Sequence, residues 1–125
     1  MRRDQRNISL RHLLQMRSGL AFDEGALYEE ASARVASQGY SATLASYTQQ
    51  DLTSLGLGLP MAYRPGEAWS YSTMDSQLLS AAFQALTGQP LGAYADRHLF
   101  PALGIRSWRW PGDAGALLWA AWGWN

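Results

Sequence analysis

Tyr71 stands in the run WSYSTMDSQLL, one residue before Ser72 and two before Thr73. A tyrosine there can pack as an aromatic at a helix entry, or its phenol can carry a proton to and from a reacting group. A phenol titrates ordinarily at about 10, so it acts as a base near neutrality only beside a cation that favours phenolate. Other groups offer less. The two histidines, His12 and His98, each lie on or beside an apolar helix face, and no G-x-S-x-G elbow supplies a serine for a Ser-His-Asp triad. Both read as packing or capping residues, and without H-E-x-x-H spacing they make no metal site. Asp23-Glu24 and Glu29-Glu30 could be paired acids for glycoside chemistry, but neighbours on a helix do not face each other, so they read as a solvated surface. The run LGLGLP lacks the third glycine and the lysine of a phosphate loop and reads as a flexible connector. No cofactor is called for.

All ten basic residues are arginine. Because guanidinium does not deprotonate in proteins, the chain has no side-chain amine for Schiff-base chemistry or for a lysine general base.

The elements that must position Tyr71 are helical. Ile8 and Ser9 form a hydrophobic staple and serine cap, and Leu10, Leu13, Leu14 and Met16 continue as an apolar stripe to Gly19. Leu27 to Ser37 has near-helical spacing with a Glu30 to Arg34 pair, and Gly39 interrupts it. Ser41 to Leu55 tolerates helix, with Leu44, Tyr47, Leu52 and Leu55 as buried candidates. The best-defined helix runs from about Thr73 to Leu86, opened by the Ser72/Asp75 capping pattern and closed at Thr87-Gly88, with Met74, Leu78, Leu79, Ala82, Phe83 and Leu86 along its apolar face. A last helix carries Leu91, Tyr94, Ala95, His98 and Leu99 and stops at Pro101. Only Ser107 to Trp110 suggests a strand, so the fold reads as mainly α.

With 125 residues, 47% apolar content and a formal charge of zero, the chain can build a core and offers no basic run for nucleic acid. It has no cysteine, hence no disulfide or thiolate metal site. The N-terminus lacks the apolar region of a signal peptide, and Ala114 to Trp122 is too short to span a bilayer. Compartment stays open, cytoplasmic or exported. Three tryptophans in the last seven residues, with no cap after them, read as an element cut from its partner. The organisation expected is a partial helical domain over residues 1–113 and an apolar Trp-rich tail, truncated or misread, over 114–125.

The run ISLRHLLQMRSGL, followed by YRPGEAWSYSTMDSQLLSAAFQALTGQPLGAYADRHLFPALGI, resembles the serine β-lactamase-like hydrolases: class C β-lactamases, penicillin-binding proteins, esterases and 6-aminohexanoate-dimer hydrolases. MRSGLAFDE and YSTMDSQLL look closest to the last group. The resemblance covers roughly Ile8 to Ile105. It implies the helical part of the β-lactamase-like α/β serine hydrolase fold, with the large sheet missing here, and a reaction that cleaves small amide or ester substrates through an acyl-enzyme. It places Tyr71 in the family's middle Y-x-N motif, as general base and acid in the intact enzyme. Thr73 takes the place of the motif's asparagine and, by implication, a substrate-binding role. The family's S-x-x-K nucleophile motif and K-T-G strand both need lysine. The expectation is therefore a middle fragment that is inactive by itself and prone to self-association through uncovered apolar side chains, among them Met74, Leu78, Leu79 and Phe83. The alternative is a small helical binding module that uses a Trp-rich surface.

Overall fold

A computed structural model describes residues 4–39, 42 and 50–109. A short 3-10 turn at Asp4–Asn7 leads into five α-helices among the described residues: α1 (Leu10–Leu14), α2 (Glu24–Gln38), α3 (Leu52–Gly58), α4 (Thr73–Thr87) and α5 (Leu91–His98). The mainly helical expectation holds. The strand suggested at Ser107 does not form over 107–109, and Trp110 lies outside the described residues. The β-type pairing seen among the described residues is an isolated antiparallel bridge between Leu20 and Met61.

Four of these five helices begin where a side chain takes up a first amide group, and α5 begins at Pro90 without a side-chain cap. Ser9 caps α1 in a reciprocal box: its hydroxyl accepts the His12 amide and His12 Nδ1 accepts the Ser9 amide, both at 3.2 Å. His12 is thus a capping residue, as its position suggested. The helix ends sooner than the apolar stripe implied, because Met16 has φ of 55° and turns the chain out of the helix before Gly19. Asp23 caps α2, which starts upstream of Leu27, and Glu30 pairs with Arg34 at 2.6 Å one turn apart. Asp51 caps α3. Ser72 caps α4, and Gly88, in the left-handed region at φ of 70°, ends it.

The glycine-rich LGLGLP is not a flexible connector: its first residues form the end of α3. Gly56 is buried where α3 crosses α4, and a β-carbon there would lie 2.6 Å from Met74 Sδ and 3.3 Å from Leu78 Cδ2. Glycine lets the two helices approach closely. Gly58 in the same helix faces open space within 4 Å. Gly56→Ala is expected to be less stable than Gly58→Ala by about 1–3 kcal/mol, the usual penalty of overpacking, measured by urea unfolding. Equal stabilities would mean that Met74 simply moves aside.

The core gathers Leu13, Leu20, Met74 and Leu78, with Ile8, Phe22, Leu59, Met61 and Leu79 packed around them. Met74 and Leu78 were expected to lack partners. Instead they are only 3% and 7% exposed, since α1, α3 and the segment after α1 cover them. The uncovered apolar surface lies elsewhere. Leu14 and Leu86 are 71% and 73% exposed, and Leu55, a buried candidate, is also exposed. An open groove of about 420 Å³ is lined by Leu10, Leu14, Leu79, Phe83, Leu86 and Leu91, among others. Beyond α5, Phe100 is fully buried and packs at a tilt against Trp108, ring centroids 5.3 Å apart, while the Trp108 indole donates to Asp96 at 2.6 Å. His98 lies against Tyr94, which in turn meets Phe83 edge-on. Leu44, Tyr47 and the Trp-rich tail are outside the described residues.

Candidate active site

Two irregular segments meet to present Tyr71: residues 16–22 after α1 and residues 60–72 before α4. Their backbones are laced together. The Ala21 amide donates to the Pro60 carbonyl and the Ala62 amide to the Gly19 carbonyl, both at 2.8 Å. The Gly66 amide donates to the Arg17 carbonyl at 2.8 Å, and the Ser70 amide to the Met16 carbonyl at 3.0 Å. Gly19 sits at the tightest point of this lacing. Its φ is 82°, and a β-carbon would lie 2.3 Å from the Tyr63 carbonyl oxygen, so glycine is required both by conformation and by space. That requirement is the physical content of the MRSGL run.

Ser18, next to Gly19, reaches into the interior. Its hydroxyl donates to Asp75 Oδ1 at 2.6 Å and its amide to Asp75 Oδ2 at 3.3 Å. Asp75 has no exposed surface. Burial pushes its carboxyl above the ordinary 3.8, while the hydrogen bonds from Ser18 and Ser72 pull the other way without cancelling the rise. Asp75 therefore joins the first turn of α4 to the segment after α1. The capping pattern in the sequence marked Ser72, which accepts the Asp75 amide at 3.1 Å. It did not reveal that the Asp75 carboxylate belongs to Ser18, a contact made across 57 positions of chain.

A second carboxylate holds the same turn from the opposite side. Glu24, in the first turn of α2, accepts the Thr73 amide on Oε2 at 2.7 Å and the Thr73 hydroxyl on Oε1. Tyr28, one turn further along α2, also hydrogen-bonds to Glu24. Partial burial, the Glu24 charge, the neighbouring Tyr71 and that hydrogen bond, in this order, hold the Tyr28 phenol above its ordinary value of 10.0. Reading Glu24 as solvated surface missed this role. Its partner lies 49 positions away, and nothing local in the sequence marks it.

Tyr71 is thus flanked by fixed neighbours. Ser70 is tied to Met16, Ser72 caps α4 and is buried, and Thr73 is held by Glu24. The Tyr71 side chain between them stays 52% exposed. A packed aromatic would bury its ring; here the backbone on both sides is immobilised and the ring is presented to solvent. Of the two residues expected to form the site, Tyr71 and Thr73, Thr73 is bonded directly to Glu24.

A family model described as Beta-lactamase matches residues 2–125. The chain belongs to the β-lactamase family. This is a family of serine hydrolases, and the helical architecture agrees with the helical part of the β-lactamase fold. Over 46 residues the chain is 37% identical to a protein of Escherichia coli K12 that carries the name of an inferred D-alanyl-D-alanine carboxypeptidase, and equally to its counterpart in Escherichia coli O157:H7. Each match covers 37% of this chain and 11% of the relative, so the β-lactamase-family chain described here spans about a tenth of the curated relatives it matches. No helix among the described residues is long and apolar enough to cross a membrane.

Proposed function

We propose that this chain supplies the helical part and the middle motif of a β-lactamase-family serine hydrolase that cleaves small amide or ester substrates through an acyl-enzyme. The observation that carries the reading is the presentation of Tyr71: a half-exposed phenol at the mouth of α4, with the residues on either side fixed by Met16, Ser72 and Glu24. In the complete site Tyr71 takes the proton of the nucleophilic serine and returns it to the leaving group, once a neighbouring ammonium favours its phenolate. Thr73 stands beside it as a substrate-binding residue. Its hydroxyl proton is committed to Glu24, so it offers a substrate its lone pairs and can accept a hydrogen bond from an amide N–H.

The nucleophile and its lysine have no counterpart in a chain whose basic residues are all arginine. Residues 1–113 then act as one helical unit, and the Trp-rich 114–125 as a separate tail. Exposed Leu14 and Leu86 give the chain a surface through which to self-associate.

The purified chain is expected to show no turnover of ester or amide substrates and no covalent adduct with penicillin-type or fluorophosphonate probes, because an unactivated serine hydroxyl is a weak nucleophile. Intact-mass spectrometry checks this. Stoichiometric labelling of one serine would show that the chain holds an activated nucleophile of its own and would overturn the proposal.

A further inference from the structure

The apolar groove between α1 and α4 has no feature that names an occupant. The Ser18–Asp75 pair is fully enclosed and acts on the fold. The Glu24 cluster differs, because it is built from one helix, acts on another, and stands beside the residue expected to move a proton.

We infer that Glu24 is a positioning residue for Tyr71: its carboxylate clamps the amide and hydroxyl of Thr73 and so locks the turn that carries Tyr71. The inference rests on the role proposed above for Tyr71, and adds a residue that the middle motif does not contain. Geometry supplies the grounds. Both Glu24 oxygens are used on one residue, Thr73, so the carboxylate is fixed in position and in rotation about its own axis. Charge-assisted bonds of this kind are about twice as strong as neutral ones. Glu24 and Tyr28 are four apart on α2, hence on one face, and the same carboxylate that holds Thr73 receives the Tyr28 hydroxyl. A threonine at the motif's third position makes the clamp possible, since it brings an amide and a hydroxyl donor to the two oxygens on a short, β-branched and therefore stiff side chain.

The test uses the full chain, with tyrosine rings and amides isotopically labelled, and the variants Glu24→Ala, Glu24→Gln, Thr73→Val and Thr73→Ser. Glu24→Ala is expected to speed hydrogen exchange at the Thr73 amide by about tenfold, the worth of one charge-assisted bond, while exchange at Leu78 to Ala82 stays unchanged. It should also lower the Tyr28 titration toward its ordinary value and shift the ring and amide resonances of Tyr71. Glu24→Gln keeps the shape but loses the charge, so the Thr73 amide stays protected while the Tyr28 titration falls. If Glu24→Ala does not fold, Glu24→Gln carries the test. Thr73→Val should disturb the Tyr28 and Tyr71 ring signals, and Thr73→Ser, which keeps the hydroxyl, should restore them. If a folded Glu24→Ala leaves the Thr73 amide exchange and the Tyr71 resonances as in the parent chain, or Glu24→Gln leaves the Tyr28 titration unchanged, the carboxylate does not hold this turn and the inference is overturned. These readings report the clamp independently of catalysis. A Tyr71 without a role in hydrolysis would be exposed by kinetics, with the clamp intact.

Discussion

Tyr71→Phe is expected to lower kcat by about 10² to 10⁴ in a hybrid enzyme that joins this helical segment to an S-x-x-K segment and a K-T-G strand, that being the usual worth of a positioned acid or base. The substitution removes one oxygen and leaves the ring. Since Tyr71 is half exposed and its neighbours are held through their own backbone and side-chain bonds, the loss of the hydroxyl should leave stability almost untouched. KM should change little, because the proton is moved in the transition state and not on binding. A fall in kcat of less than about threefold, in a folded hybrid, lies well below what proton transfer contributes and would mean that Tyr71 only packs.

The largest effect on stability is expected at Asp75. Asp75→Ala strands the Ser18 hydroxyl and amide donors, both in a residue that is itself buried. Each buried donor left unsatisfied costs about 1–3 kcal/mol, so the pair together approaches much of the roughly 5–15 kcal/mol that holds a domain folded. Asp75→Ala is therefore expected to abolish cooperative unfolding, followed by urea titration with near-ultraviolet dichroism. Asp75→Asn should remain folded, since its amide supplies one acceptor and a donor that the Ser18 oxygen can accept.

The same residue makes stability depend on pH in a defined direction. Burial raises the Asp75 carboxyl in the folded state above its ordinary value of 3.8, so the folded chain holds this proton more tightly than the unfolded chain does. The stabilisation linked to that proton is fully present below the unfolded value and is lost as pH rises through the folded one. Across that window the parent chain should become less stable with rising pH. Asp75→Asn should remove this component. An unfolding free energy that rises with pH at Asp75, or a slope unaffected by Asp75→Asn, would contradict the assignment.

Much of the helical layout was legible because its signals are local. Ser9, Ser72 and the Glu30/Arg34 pair act within four residues, and each does in the structure what its spacing implied. The flexible reading of LGLGLP failed for a reason that local chemistry cannot supply. Glycine usually weakens a helix, but Gly56 is needed for close contact with Met74, which lies in another helix. Apolar burial was misjudged for the same reason. Met74 and Leu78 find partners in α1 and α3, whereas Leu14, equally apolar, faces solvent. At the site, Tyr71 and Thr73 could be singled out because they fall in a motif. Glu24 and the Ser18–Asp75 pair could not, since their contacts join segments about fifty residues apart and the residue types are those of any solvated surface.

The most direct measurement is the mass of the acyl-enzyme trapped from the hybrid with a penicillin-type or ester substrate, with the adduct mapped to its serine. The proposal predicts a single adduct on the serine of the supplied S-x-x-K segment, formed about 10² to 10⁴ times more slowly in Tyr71→Phe. An adduct on any serine of the 125-residue chain, or one formed equally fast without the Tyr71 hydroxyl, would contradict it.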